Sequence, residues 1–187
     1  LRVWLLTHVR RGWRKGLAGV VIDRGVGVAV LLAIGLATLA NASAFTALSG
    51  YRPTVLAAFA ALLIGGIGGL ISAPIYAPPL TRLRVTKWIA ELALASRQVL
   101  IESPAAVYIV AIALMVHVLS IVDIWCLGRA FSMPLSIIDA ATLFTLIVAI
   151  SLMPVTVNGW GLRELAVTAF LNAHGIPSQR ALLFSIC

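Results

Sequence analysis

Residues 154–164 run Pro-Val-Thr-Val-Asn-Gly-Trp-Gly-Leu-Arg-Glu, directly behind an apolar stretch. Pro154, Gly159 and Gly161 oppose a continuous helix, and Arg163 and Glu164 add charge where the chain has just been apolar. Non-helical backbone at membrane depth survives only where protein or a water-filled cavity surrounds it, and ionisable residues there point to function. With Asn158 as N-cap, a helix starting behind it would aim its N–H groups and dipole into the break and attract an anion. Arg163 adds a planar fork suited to phosphate, and the two glycines let a headgroup approach the backbone. The expected substrate-binding set is therefore Pro154, Asn158, Gly159, Gly161, Arg163 and Glu164, with the chemistry of a phospholipid or polyprenyl-phosphate headgroup site. The competing reading is a tight turn, with Arg163 snorkelling to the headgroups and Glu164 bonded to nearby backbone.

Three other polar features stand out. Asp23-Arg24 closes a basic opening segment; the two side chains point about 100° apart on a helix, so each faces its own surroundings rather than the other. Either each binds another helix or the pair marks the membrane boundary. His117, Ser120 and Asp123 form a drifting polar stripe in an apolar segment. His117 is the deep member, fit either to relay protons or to hydrogen-bond across a helix interface. Arg10-Arg11-Gly-Trp-Arg14-Lys15 is a polybasic patch suited to anionic lipid. Gly65 and Gly69 make a GxxxG spacing that favours close helix packing, within one chain or between two copies. Cys126 and Cys187 form no framework, and three scattered histidines with two cysteines make no metal site. No nucleophile, nucleotide-binding or zinc-protease motif is present, so no catalytic residue, metal or cofactor is expected.

The elements that must position these residues follow from composition. Hydrophobic residues make up 61% of the 187, charged residues 11%, and the mean hydropathy is +1.08. A soluble domain needs far more charge at its surface, so the expected class is an all-α polytopic membrane helix bundle. Fourteen Lys and Arg against six Asp and Glu give a net charge of +8. No nucleic-acid module accompanies that excess, which instead suits loops facing anionic lipid. The opening does not read as a cleaved signal, and the last residues read as the first turns of a further span. The chain is expected to be one membrane domain within a longer protein.

A span needs about 20 mostly apolar residues. Hydropathy and breakers predict spans near 26–48, 54–73, 104–128 and 138–153, the second stopped by Pro74 and Pro78-Pro79, the third started by Ser103-Pro104. A half-helix is expected over 159–174, closed by Gly175 and Pro177, with a further span beginning at 178–187. Over 75–103, Trp88 and several leucines interleave with Arg84, Lys87, Glu91, Arg97 and Glu102. That pattern suits an interfacial amphipathic helix or, alternatively, a protruding basic end of the third span. Basic residues crowd the opening segment (Arg2 to Arg24) and the 74–103 connection (Arg82, Arg84, Lys87, Arg97), whereas the loops between hold Arg52 and Arg129. The positive-inside rule then puts the start, the 74–103 connection and the region behind the fourth helix in the cytoplasm.

With these residues in view, the chain resembles the lysylphosphatidylglycerol synthase transmembrane-region family of flippase-like membrane proteins. The likeness is carried by Pro154, Gly159, Gly161, Arg163 and Glu164, then Gly175-Ile176-Pro177 and Ala181, with Asp23-Arg24 and Leu1-Arg2 matching earlier positions. It extends over essentially the whole chain, as the later part of the family's domain. Asn158 stands where a glycine is expected, Trp160 is bulky for that loop, and Gln179 replaces an acidic residue. The resemblance implies a polytopic protein of the cytoplasmic membrane with Arg163 and Glu164 in a substrate cavity. It further implies membrane lipids with anionic headgroups as partners, and translocation of such a lipid as the function. Two alternatives stay open: the membrane part of a phosphatidylglycerol aminoacyl-transferase, and an ion-coupled small-solute transporter using His117 and Asp123.

Overall fold

The computed structural model describes residues 13–39, 52–80, 86–151 and 161–186. These form α1 (Trp13–Leu39), α2 (Arg52–Leu80), α3 (Lys87–Arg97) with a π turn at Gln98–Glu102, α4 (Ala105–Ala130), α5 (Ile137–Ser151), α6 (Leu162–Ala173) and α7 (Ser178–Ile186). No strand occurs among the described residues. Among the described residues, three segments are long and apolar enough to cross a membrane: Ala18–Leu39, Arg52–Leu80 and Ala105–Ala130, of 22, 29 and 26 residues. At 1.5 Å per residue each exceeds the roughly 30 Å hydrocarbon core. Their large apolar side chains are widely exposed, as with Ile64, Ile67 and Ile75 on α2 and Val107, Ile112 and Leu119 on α4. Such surfaces suit lipid rather than water as the surrounding solvent.

The chain divides into two compact units, residues 1–30 with 61–115 and residues 31–60 with 116–187. In the first, α3 runs antiparallel to the end of α2. Thr86 Oγ1 donates to Leu80 O at 2.7 Å, and Arg97 Nη1 donates to Ile71 O at 2.7 Å, bracketing the pair. Ala73 and Ala77, one turn apart on α2, and Ala90 on α3 fall between these two bonds and are fully buried. The expected choice for 75–103 is thus settled for a separate helix. Ser103 is extended (φ −102°, ψ 136°), its Oγ accepts Ala105 N–H at 3.2 Å, and Pro104 follows as the first residue of α4. Trp88 is exposed.

Two helices depart from their expected bounds. The first is helical from Trp13, well before residue 26, and its described part ends at Leu39; residues 40–48 lie outside the described residues. Asp23 and Arg24 sit exposed in mid-helix, so they ride on it without ending it. The second runs through Pro74, Pro78 and Pro79 to Leu80. Proline removes N–H donors, so Pro74, Pro78 and Pro79 withdraw the helical donors of the Leu70, Pro74 and Ile75 carbonyls. Just before them, Ser72 Oγ donates to Gly68 O (2.7 Å), Tyr76 Oη to Gly69 O (2.9 Å) and Arg97 to Ile71 O.

The second unit holds the larger core. Met133, Leu135, Leu143, Val167, Phe170, Leu171, Ile176, Ala181 and Phe184 pack together, uniting α5, α6 and α7 with the 131–136 connection and the turn between α6 and α7. Around Gly35 on α1 the helices approach closely: an added Cβ would stand 2.6 Å from Phe59 Cε2 and 2.8 Å from Thr145 Cγ2. The Gly65/Gly69 pair does no such work among the described residues, where an added Cβ at either meets nothing within 4 Å. α4 ends in a left-handed cap in which Met133 N–H reaches Gly128 O (2.9 Å) and Ser132 N–H reaches Arg129 O (3.0 Å). Ser132 takes the left-handed position itself, with φ 55°.

Two stability predictions follow from this unit. Gly35→Ala overpacks the contact with Phe59 and Thr145 and is expected to cost about 1–3 kcal/mol in reversible unfolding from mixed micelles. Ser132→Gly relieves a left-handed non-glycine residue and is expected to shift the same midpoint the other way, by about 0.5–1 kcal/mol.

Candidate functional site

Pro154, Asn158 and Gly159 lie outside the described residues; Gly161, Arg163 and Glu164 lie within them. Gly161 has φ 85° and ψ −50°, which an L side chain scarcely adopts, and α6 begins immediately after it. The glycine is therefore fixed by backbone geometry, since an added Cβ meets nothing within 4 Å. Leu165 N–H bonds to Gly161 O at 3.0 Å, closing the first turn. Glu164, at the third helical position, reaches back so that its Oε2 accepts the Gly161 N–H. This is half of a capping box, because glycine has no side chain to return the bond. The positive end of α6, expected to attract an external anion, is met by the protein's own carboxylate.

Arg163 is half-exposed. Its Nη2 donates to Ser185 O on α7 at 3.0 Å, and its Nε lies 3.7 Å from Glu164 Oε1. That separation makes a loose, partly solvated ion pair of small energy. A guanidinium has five N–H donors, so these contacts leave capacity for the oxygens of an anion. Of the two residues, Arg163 therefore keeps the chemistry expected from the sequence, and Glu164 serves the helix start.

Of the secondary candidates, Asp23 and Arg24 are exposed on α1, in the first unit. His117 is half-buried, its ring edge-on to Phe144 with centroids 5.5 Å apart, a contact across helices. Ser120 Oγ donates to Val116 O within its own helix, and Asp123 is exposed. Arg129 stands over the Trp125 ring, 6.0 Å from its centroid.

Sequence reasoning passed over a buried pair. Asp139 sits in the first turn of α5, where Ser136 caps the helix: Asp139 N–H bonds to Ser136 Oγ (3.2 Å), while Ser136 N–H (3.1 Å) and Oγ–H (2.6 Å) bond to Asp139 Oδ2. Its other oxygen, Oδ1, lies 3.2 Å from His174 Nε2 at the end of α6. The Ser-x-x-Asp spacing announced the cap, but nothing local could connect residues 35 positions apart. His174 precedes Gly175, whose φ of 76° closes α6: Ile176 N–H reaches Leu171 O (3.0 Å) and Gly175 N–H reaches Asn172 O (2.9 Å).

The fold and site together describe an all-helical membrane protein with a capped helix start carrying arginine. A family model described as the lysylphosphatidylglycerol synthase TM region matches residues 1–187, and the chain belongs to that family. Neither the curated proteins nor the solved structures contain a match to it.

Gly161→Ala is expected to destabilise the start of α6 by about 1–3 kcal/mol through backbone strain alone. The measurement is amide exchange over residues 162–168, which should lose protection while α5 keeps its own.

Proposed function

We propose that this chain is the membrane module of a lipid-handling protein, binding a lipid with an anionic headgroup and moving it between leaflets. The observation that carries the reading is Arg163. It is a half-exposed guanidinium in the first turn of a short helix, within a family-assigned membrane protein whose long helices are apolar. The headgroup phosphate would accept from the guanidinium fork, with the backbone around Gly161 open to close approach. Glu164 would hold the helix start, and through it the position of Arg163. The glycero- or polyprenyl-phosphate class is common to both lipid types that fit this chemistry.

The positive-inside pattern supports a cytoplasmic-membrane topology with the 74–103 connection on the cytoplasmic side. Exposure of a cavity around the 154–164 break to alternate sides would carry the lipid across. The family's description names a synthase. Aminoacyl transfer would require a donor site, and the lipid-handling role is assigned to this chain because long apolar helices provide surface for acyl chains rather than for a charged donor. The solute-transport alternative would need His117 and Asp123 to act together, whereas one packs on Phe144 and the other is exposed.

The test is native mass spectrometry of the full-length protein extracted from its own membrane, alongside Arg163→Ala and Arg163→Lys. The expected result is retention of an anionic lipid by the wild type, loss in Arg163→Ala, and weaker retention in Arg163→Lys, which keeps the charge without the fork. Equal retention in all three would sink the reading, and the mass of the bound species separates a glycerophospholipid from a polyprenyl phosphate.

A further inference from the structure

The surroundings of His174 disfavour a neutral ring beside an ionised Asp139. Its Nδ1 lies 3.1 Å from Phe170 O and its Nε2 lies 3.2 Å from Asp139 Oδ1. A carbonyl and a carboxylate are acceptors, whereas a neutral imidazole carries a single N–H. In either neutral tautomer one ring nitrogen would hold its lone pair beside an oxygen, with no proton to attract it. One more proton removes the conflict, either on the imidazole or on the Asp139 carboxyl. Oδ2 already accepts two bonds from Ser136, so a carboxyl proton would also sit at Oδ1, facing Nε2. In both arrangements the extra proton lies between the two side chains.

The pair is well shielded, with side-chain exposures of 11% for His174 and 8% for Asp139. Oδ1 lies off the line of the Nε2–H bond, so the contact is close but poorly aligned. Few other charges address it. Asp139 is the sole ionisable residue of α5, and the 131–136 connection has none. On α7 the ionisable residue is Arg180, which is exposed; on α6, Arg163 and Glu164 stand at the opposite end, about 15 Å away along the helix. On the part of α4 in this unit, Asp123 and Arg129 are exposed and His117 packs on Phe144. The helix ends reinforce the charged form: Asp139 is in the first turn of α5, and His174 caps the last turn of α6.

We propose that Asp139 and His174 form a proton-binding latch: with the proton bound it holds the end of α6 on the start of α5, and without it α6 and α7 loosen from α5. The proton is taken from and returned to solvent with no other bond made or broken. The inference stands independently of lipid binding at Arg163.

The test is amide-exchange protection of residues 170–186, corrected for intrinsic exchange, in the full-length protein in nanodiscs. At about pH 5 protection is expected to be high, and at about pH 8 it should fall, with no such fall in His174→Gln or Asp139→Asn. Equal wild-type protection at both pH values, or an unaltered pH response in the variants, overturns the latch. If neither variant folds, solid-state 15N spectra of the wild type decide it. At about pH 5 both His174 ring nitrogens, or one of them and the Asp139 carboxyl, should bear protons. A bare ring nitrogen facing an ionised Asp139 overturns the proposal.

Discussion

In surroundings with little water, each backbone N–H and C=O that a helix leaves open must find a partner inside the protein. That constraint governs every irregularity here. The proline-rich end of α2 is supported by Ser72, Tyr76 and Arg97, which donate to the carbonyls of Gly68, Gly69 and Ile71. α4 and α6 close in left-handed caps at Ser132 and Gly175, and each turns a following N–H back onto a carbonyl of the last turn. The starts of α4, α5 and α6 are served by Ser103, Ser136 with Asp139, and Glu164. An uncapped start or end at any of these points would leave a polar group without water to solvate it.

This constraint also explains where scarce charge goes. Only 11% of the residues are charged, and several in the described helices are committed to backbone. Arg97 holds Ile71 O, Glu164 holds Gly161 N–H, Asp139 holds Ser136 N–H and Arg163 holds Ser185 O. An ionisable residue in an apolar stretch is a fair signal of function, but it is equally what a broken helix needs. Glu164 falls on the structural side of that division. Arg163 straddles it, because one bond to Ser185 uses little of a five-donor fork.

Much of the architecture was legible because it rests on local pattern. The long apolar segments, the Ser103-Pro104 start of α4 and the Gly175-Pro177 stop of α6 all stand close to where sequence places them. Proline did not terminate α2, and the contact that ties this stretch to α3, Arg97 on Ile71 O, comes from 26 positions away. Gly35 was missed because a glycine's value as a contact depends on what lies opposite, here Phe59 and Thr145. Asp139 and His174 were individually unremarkable, and their partnership exists only once α5 and α6 pack. Of the candidate headgroup site, Gly161, Arg163 and Glu164 stand at the start of α6, and the Glu164 bond to the Gly161 N–H is the backbone contact that the turn reading of the sequence had offered.

Among the described helices, α5 and α6 carry an acidic residue in the first turn, Asp139 and Glu164, whereas the long α1, α2 and α4 and the short α3 and α7 carry none. Helices of 26 residues or more extend beyond about 30 Å of hydrocarbon and can leave their ends to water and headgroups. α5 and α6, of 15 and 12 residues, reach only about 22 and 18 Å. A helix that short cannot leave both ends to solvent on opposite sides of a membrane, so at least one terminal dipole must be answered by the protein itself. The carboxylates of Asp139 and Glu164, and His174 at the opposite end of α6, supply that answer.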